Sequence, residues 1–335
     1  MSRNDRLTAD LDRGFDALEA GEIDTAAACV ERCQRIDRQN PGVLALAAAV
    51  ADARGDVEAA LATYRTLIEV TPGDPMPRIC AARIELRDTG DPEAALETVD
   101  GAFDFIDEEV DLIEAVIVRT EALLALGDAE QARESLGELS TSVIDDAHQA
   151  LQLAELALGA EDPSLAARWI ETARKEPELL ADALHLLGAV HEQRDERPEM
   201  IAAWQQVREL DAKAPPPQVT MADEEFERVA SETLEELPAE VREKLAHVPI
   251  LLDDAPSAEL IADGLDPRLL GLFEGTPMSD GLAPSVTTIR LFKRNLEHAA
   301  ADLDELAEQV RITVLHETAH YFGLDEEDLE KLGLD

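Results

Sequence analysis

The chain has 335 residues, with 74 acidic against 29 basic side chains and a formal net charge of −45 at pH 7. So negative a chain excludes nonspecific binding to nucleic-acid phosphates, which needs a basic face. The sequence also lacks a run of about 18 apolar residues that could span a membrane and an apolar signal-peptide core. We therefore expect a cytoplasmic protein with no nucleic-acid or membrane partner. Because 45% of the residues are hydrophobic but only 3% aromatic, the composition favours close-packed helices.

Six short turn sequences recur along the first two thirds of the chain. Each is followed by a pattern typical of a helix start, as in Gly55-Asp-Val-Glu and Gly127-Asp-Ala-Glu. Successive turns begin 34, 35, 37, 34 and 34 residues apart, at Gly21, Gly55, Gly90, Gly127, Glu161 and Asp195. A period of this length is typical of stacked helix pairs, each of which buries its apolar face against its neighbours.

Apolar residues follow every turn at fixed distances. At five, nine and twelve residues after each turn begins, all eighteen positions carry an apolar side chain. They are Ala26, Val30, Cys33, Ala60, Tyr64, Leu67, Ala95, Val99, Ala102, Ala132, Leu136, Leu139, Ala166, Ile170, Ala173, Met200, Trp204 and Val207. Spacings of four and three residues place such positions on one helix face, so the pattern predicts a buried stripe.

This pattern resembles the tetratricopeptide repeat (TPR), in which an alanine follows the glycine turn and an aromatic residue follows the alanine. The aromatic residue is present as Tyr64 and Trp204, and Pro72 closes one unit. The resemblance covers about residues 5–214. It implies an α-solenoid whose concave face holds a peptide or a partner protein. The alternative is an array that serves only as a spacer or an oligomerisation element.

Three consecutive prolines at residues 215–217 separate the array from the rest of the chain. Because proline lacks an amide donor and fixes φ, no helix continues through this segment. We therefore place the domain boundary there, with a TPR-like helical array over residues 1–214 and a second domain over residues 218–335.

The second domain is predicted to contain helices at both ends and two strands between them. The predicted helices lie at about 222–237, 238–245, 303–321 and 326–332, the strands at 247–253 and 287–293, and a Gly/Pro/Asp-rich loop at 253–284. This order indicates a small α+β domain. The predicted fold class is therefore mainly α: an α-solenoid of TPR-like helix pairs followed by a small α+β domain.

The long predicted helix carries the sequence His316-Glu-Thr-Ala-His320. Two histidines four residues apart project from one helix face and can bind the same Zn²⁺ ion. Glu317 then lies beside the metal, where its carboxylate can take a proton from a metal-bound water and pass it to a leaving amine. The sequence therefore predicts a zinc site with His316 and His320 as ligands and Glu317 as the catalytic base.

The metal motif continues through Gly323 into an acidic run. This spacing resembles the metzincin turn, and Glu326 stands where those enzymes place a third histidine. The glycine lets the chain leave the helix and bring a third ligand back to the metal. Asp325, Glu327 and Asp328 remain alternatives, because the four acids are consecutive.

The second domain resembles the minimal zincin-like metallopeptidases over about residues 222–335. Besides the metal motif, the resemblance rests on four segments. These are Glu224-Glu-Phe226, Glu236-Leu-Pro238, Leu270-Gly-Leu-Phe-Glu-Gly275 and Ile289-Arg-Leu-Phe292. The resemblance implies a small zincin fold with zinc on His316 and His320 and with Glu317 as the catalytic glutamate. The family commonly has Asp where this chain has Glu326.

The leading hypothesis is a zinc-dependent peptidase whose array recruits or positions a protein substrate or partner. A peptide would pair along the strand at 287–293, with Glu317 acting on the attacking water. One alternative is a non-catalytic scaffold with a structural or vestigial metal site, which would have no use for an intact Glu317. The other is a zinc hydrolase of a nonpeptide amide, which the sequence does not distinguish from a peptidase.

Overall fold

A computed structural model of the protein describes residues 2–245, 247–275 and 288–323. Contacts between residues divide the chain into two compact units, Met1–Leu180 and Ala181–Asp335. The described part of the first unit is helical, and that of the second combines helices with a small sheet. This architecture confirms the predicted combination of a helical array and a small α+β region. The helix predicted at 326–332 lies outside the described residues.

Helices in consecutive pairs build the first unit. They are α1 (Arg3–Glu19), α2 (Ile23–Ile36), α3 (Pro41–Ala53), α4 (Val57–Val70), α5 (Met76–Arg87), α6 (Pro92–Asp100), α7 (Glu109–Ala125), α8 (Ala129–Gly137), α9 (Ala147–Gly159) and α10 (Pro163–Ala173). In the second unit, α11 (Leu180–Gln193) and α12 (Arg197–Asp211) repeat the pattern. Each predicted turn therefore separates the two helices of one pair.

The six turn positions share a left-handed backbone conformation. Their φ angles are 71° at Gly21, 71° at Gly55, 62° at Gly90, 75° at Gly127, 55° at Glu161 and 58° at Asp195. Glycine adopts this conformation without steric cost, which explains its use at four of the six turns. The aspartate that follows several of these turns caps the next helix, as where Asp56 accepts from the Ala59 amide at 3.1 Å. The Gly-Asp pair thus ends one helix and begins the next.

The predicted apolar stripe is buried throughout. All eighteen positions lie among the buried hydrophobic residues of the structure. Of the twelve residues that lie five or nine positions after a turn, nine are at most 3% exposed, for example Ala26 at 0% and Trp204 at 3%. Burial of this stripe is the dominant favourable contribution to an array of small helices. The TPR-like pairing predicted from the sequence is therefore confirmed.

The second unit continues with short elements around a three-stranded sheet. They are α13 (Asp223–Glu236), α14 (Ala239–Leu245), β1 (Ile250–Asp253), α15 (Ala258–Ala262), β2 (Gly271–Glu274), β3 (Thr288–Phe292), α16 (Lys293–Ala299) and α17 (Leu303–Tyr321). The sequence predicted neither a helix nor a strand in the Gly/Pro/Asp-rich segment at 253–284, and this was wrong, because α15 and β2 lie within it. Both elements have only four or five residues, too few to produce a clear periodicity.

The strand order in the sheet is β1-β3-β2. β3 pairs with β1 in parallel and with β2 in antiparallel fashion, so Ile289 lies between Ile250 and Phe273. Both sides of β3 are therefore occupied by neighbouring strands. The prediction that a peptide pairs along the strand at 287–293 was wrong for this reason: within the described sheet, β3 is the central strand and has no open edge.

One face of the sheet packs against α13 and α17. The core there includes Phe226, Ile289, Leu291, Val310 and Val314, which are all at most 1% exposed. Burying this set fixes α17, which carries the metal motif, against the strands. The side-chain alternation of the strands puts Arg290 on the opposite face.

Arg290 joins the three strands across that opposite face. Its guanidinium lies 2.6 Å from Asp253 on β1 and 2.7 Å from Glu274 on β2. These two carboxylates raise the pKa of Arg290. The ion pairs therefore connect both edge strands to the central strand.

Helix α12 packs against the C-terminal part of the second unit. Met200 and Trp204 of α12 form a buried cluster with Ile261 of α15, which is 0% exposed. Arg268, in the segment before β2, lies 2.7 Å from Asp182 and 3.0 Å from Asp211. The last helix pair of the array thus shares a compact unit with the sheet. The boundary between residues 214 and 218 stays a prediction.

Two fragments test where the second domain begins. We expect the free energy of unfolding of the fragment 181–335 to exceed that of the fragment 218–335 by at least about 2 kcal/mol. The shorter fragment would expose Ile261 and deprive Arg268 of both carboxylates. Urea denaturation of the two purified fragments, each with zinc added, provides the measurement. Equal stability would instead support the boundary at the three prolines.

Candidate metal site

Helix α17 forms because its sequence provides both an N-cap and a buried stripe. Asp302 accepts hydrogen bonds from the amides of Asp304 and Glu305, each at 2.9 Å. Val310 and Val314 lie on the face against the sheet and are fully buried. The helix ends at Tyr321, and Gly323 follows with a φ of 80°. The bounds predicted for this helix from the sequence are confirmed.

The imidazoles of His316 and His320 lie side by side near the end of α17. Their Nε2 atoms are 3.0 Å apart and their ring planes are inclined by 80°. Two nitrogens bound to one zinc ion at about 2.0–2.1 Å are roughly 3.3 Å apart at the tetrahedral angle. Without a metal, the same separation accommodates a hydrogen bond from one imidazole N–H to the other ring. The spacing of the two nitrogens therefore fits a pair of ligands to one metal ion.

Glu317 is held on the sheet side of the helix. The residue is 6% exposed, and its side chain faces the backbone of Gly271 at the start of β2. A Cβ atom added to Gly271 would lie 2.9 Å from Glu317 Oε1 and 2.6 Å from Thr313 Cγ2. Glycine at this position therefore allows β2 to approach α17 closely enough to form a wall against the Glu317 carboxylate.

Replacing Gly271 with alanine is expected to displace Glu317. A contact under 3.0 Å cannot persist, so the carboxylate or the strand must move, and overpacking of this kind costs about 1–3 kcal/mol. Because a shift of about 1 Å near reacting groups can cost 10²-fold in rate, we expect any zinc-dependent hydrolysis at this site to fall by tenfold to a hundredfold without a loss of metal.

Kinetic assays and metal analysis of the Gly271→Ala variant provide the measurement. The matched control is Gly137→Ala, since a Cβ at Gly137 meets no atom within 4 Å. Wild-type rates in the Gly271→Ala variant would show that this contact does not position Glu317.

Tyr321 packs beneath the metal motif. Its hydroxyl donates to the carbonyl oxygen of Lys244 at 3.4 Å, and its ring makes edge contacts with Phe273 and Phe322. Tyr321 as a whole residue is 6% exposed. These contacts connect α17 to β2 and α14 and give Tyr321 a structural role.

The outer edge of β2 includes Gly271, the residue against which Glu317 packs. The Phe292 amide donates to the Leu270 carbonyl at 2.9 Å, and partners alternate along an antiparallel ladder. Leu272 and Glu274 therefore direct their backbone groups to β3, whereas Gly271 and Phe273 direct theirs to the other side. Among the described strands, none pairs with that side of β2. The described sheet has two edge strands, β1 and β2, and of these β2 is the one that packs against Glu317, so its edge is the candidate for pairing with an extended peptide.

The predicted third ligand, Glu326, lies outside the described residues, as do its alternatives Asp325, Glu327 and Asp328. The described part of the chain contains no group of three or more His, Cys, Asp or Glu side chains that could hold a metal ion. The structure thus brings His316, Glu317 and His320 together. The assignment of Glu326 stays a prediction.

Gly271 is the position beside the metal motif that the sequence analysis did not assign. From the sequence, the segment Leu270-Gly-Leu-Phe-Glu-Gly275 was expected to lie within the Gly/Pro/Asp-rich loop at 253–284. The structure makes its centre a strand whose glycine contacts the side chain of Glu317. An isolated glycine within a short apolar run is a signal for close backbone approach, and this signal is present in the sequence.

Comparison with known proteins agrees with the two parts of this chain. Residues 245–334 match the family model described as zincin-like metallopeptidase. No curated protein matches the sequence at a significant level. The family match covers the sheet, the segment before β2 and the metal motif, and it therefore supports the zincin-like resemblance of the C-terminal part.

Solved structures resemble the helical array. PilW, a type IV pilus biogenesis factor, is 14% identical, with 60% of this chain and 92% of that chain covered at a TM-score of 0.51. The pilF protein of Pseudomonas aeruginosa is 16% identical, with 62% and 93% covered at a TM-score of 0.51. A TPR protein of Thermus thermophilus is 21% identical, with 54% and 98% covered at a TM-score of 0.45. The first two likenesses show the fold of the array alone.

The chain thus joins a TPR-like helical array to a zincin-like C-terminal part, as the sequence predicted. None of the described helices combines the length and the apolar character needed to cross a membrane.

Proposed function

We propose that the protein is a zinc-dependent metallopeptidase whose helical array recruits or positions a protein or peptide partner. The observation that carries this proposal is the arrangement on α17. The Nε2 atoms of His316 and His320 are 3.0 Å apart, and Glu317 between them in sequence is buried against β2. The family model matched by residues 245–334 supports the same assignment.

His316 and His320 would hold the zinc ion, with Glu326 as the proposed third ligand. Zinc bound there would supply a Lewis acid and lower the pKa of a coordinated water towards about 7. Nitrogen ligands from two imidazoles and an oxygen ligand from a carboxylate form a donor set that catalytic zinc sites use. The ring spacing of the two histidines fits this set.

Glu317 would hold and move the proton in the reaction. In a low-dielectric position beside Gly271, its carboxylate can accept a proton from the attacking water and deliver it to the departing amine nitrogen. The close backbone wall of β2 limits the positions that the carboxylate can take. A carboxylate held in one orientation transfers a proton over a lower barrier. Holding Glu317 in place is therefore the contribution to catalysis that the geometry of the protein supports best.

The substrate would bind as an extended chain on the outer edge of β2. The amide and carbonyl groups of Gly271 and Phe273 face that edge, so a peptide could add as a further strand. A strand in this position passes close to Glu317. This geometry favours a peptide over a compact nonpeptide amide, which would form fewer hydrogen bonds to the backbone groups of the strand.

The array supplies a surface for a second interaction. Stacked helix pairs present a continuous surface formed by successive repeats, and such surfaces bind peptides and proteins. We assign the array the recruitment of a protein partner or substrate. The alternative in which the array only binds and the metal site is vestigial predicts the same binding but no hydrolysis.

Hydrolysis that depends on metal tests this proposal. We expect the purified full-length protein with one equivalent of zinc to cleave an unfolded protein such as reduced casein. Removal of zinc by a chelator should abolish cleavage, and added zinc should restore it. Without the metal, the two histidines do not lower the pKa of the attacking water. Released amino termini measure the reaction. A fully zinc-loaded protein that cleaves no peptide would favour the non-catalytic scaffold.

A further inference from the structure

A cavity lies within the C-terminal unit, apart from the histidine pair. It has a volume of about 560 Å³, and its wall includes residues of α12, of the segment before β2 and of α16. Ligand sites for small molecules commonly have volumes of about 300–1,000 Å³. The wall includes Arg208, Arg268 and Arg294. We call this space the Arg294 cavity.

Three arginines at one cavity are unexpected in a chain with a net charge of −45. Two aspartates, Asp211 and Asp254, also line the wall. Asp211 is occupied by Arg268, whose Nε and Nη2 atoms lie 3.0 and 3.1 Å from its two carboxylate oxygens. The positive charge of Arg268 is therefore compensated within the protein.

Arg208 and Arg294 are bound differently. Arg208 donates through Nε to the carbonyl of Pro256 at 3.0 Å, and Arg294 donates through Nη2 to the carbonyl of Ala214 at 2.9 Å. Among the described residues neither guanidinium forms an ion pair within 4.0 Å, although Arg208 interacts electrostatically with Glu259 at longer range. The Nε–H group of Arg294 is buried, and it also lacks an acceptor in the described part of the chain.

A buried donor without an acceptor is costly, and an anionic oxygen is the partner that best compensates a guanidinium. His298 also lines the cavity and can donate a hydrogen bond, whereas the amide nitrogen of Asn295 already donates to the carbonyl oxygens of Pro267 and Leu269. Apolar side chains, including Pro267 and Leu270, complete the wall and fit an organic body better than a hydrated inorganic ion.

We propose that the Arg294 cavity binds a small organic anion, with the carboxylate or phosphate group held by Arg294 and Arg208. Carboxylate and phosphate groups both present two neighbouring anionic oxygens, to which one arginine guanidinium can donate two parallel hydrogen bonds. The site is distinct from the histidine pair and does not depend on the proposed peptidase activity.

Isothermal titration calorimetry of the full-length protein tests the proposal, with succinate and glycerol 3-phosphate as separate probes at constant ionic strength. We expect saturable binding of one molecule per chain for at least one probe. Binding of only one of them identifies the carboxylate or the phosphate as the recognised group. Absence of binding by both probes at concentrations up to about 10 mM would overturn the proposal.

Variants locate the binding. Arg294→Gln should weaken the bound probe at least tenfold, since a charge-assisted hydrogen bond contributes at that scale. Arg228→Gln is the matched control: it makes the same change in net charge on α13, where Arg228 pairs with Glu225 and Glu232. If Arg294→Gln fails to fold, Arg294→Lys keeps the charge but removes the Nε–H donor and should also weaken binding. Unchanged affinity in a folded Arg294 variant would overturn the assignment.

Discussion

Replacing Glu317 with glutamine is expected to reduce peptide hydrolysis by about 10² or more while zinc stays bound. Glutamine preserves the size and hydrogen-bonding capacity of the side chain but cannot accept the proton, and losing a general base costs rate on this scale. The contact with Gly271 should be retained, because an amide oxygen or nitrogen occupies nearly the same space as the carboxylate oxygen. Initial rates and zinc content of the purified variant provide the measurements.

The matched control for this substitution is Glu308→Gln. Glu308 lies on the same helix, is exposed and lies 3.6 Å from Arg311, so its replacement changes the charge of α17 equally without reaching the motif. We expect wild-type rates in this control. Retained hydrolysis in Glu317→Gln would show that the proton is taken by another group and would contradict the proposed role of Glu317.

Loss of either imidazole is expected to abolish stoichiometric zinc binding. His316→Ala and His320→Ala each remove one of three proposed ligands, and the remaining two cannot retain the ion at about one equivalent. His148→Ala is the control, because His148 lies on α9 with its side chain 70% exposed. Metal analysis after gel filtration without chelator provides the measurement. One equivalent of zinc in the double variant would contradict the site.

The acidic run requires a separate comparison. If Glu326 is the third ligand, Glu326→Ala should weaken zinc binding by orders of magnitude and lower the thermal stability, since metal binding is coupled to folding. Asp325→Ala, Glu327→Ala and Asp328→Ala should leave zinc nearly unchanged. Loss of zinc in one of these neighbours, with Glu326→Ala unaffected, would reassign the ligand. Retention in all four would place the third ligand outside the run.

The array could be predicted because its signals are local and repeated. A left-handed turn needs glycine or a tolerant residue, and each helix needs apolar positions four and three residues apart, so every repeat provides the same information again. The turns at Gly55 and Glu161 illustrate this: the second lacks glycine but keeps the position and a φ of 55°. Helix α17 was predictable for similar reasons, from Asp302 at its start to Gly323 at its end.

The sheet was harder to predict because pairing is not encoded within one strand. β2 has only four residues, and nothing in their sequence indicates that they pair with β3. The central position of β3 likewise follows from tertiary pairing of segments that are far apart in sequence. The docking of α12 on Ile261 joins two regions that the proline run separates. The contact between Gly271 and Glu317 depends on strand pairing and on the packing of segments that are distant in sequence. For this reason the sequence did not indicate that Gly271 lies beside the metal motif.

The backbone groups at the outer edge of β2 have a consequence for selectivity. Every residue type except proline offers the same backbone amide and carbonyl pair. A strand edge therefore selects a substrate by its extended conformation and not by its sequence. Gly271 adds no side chain that could discriminate. We therefore expect cleavage to tolerate many sequences in segments that are already extended and to spare strands that are paired in a folded protein. Preference for one protein over another would then arise from whatever raises its local concentration at the strand.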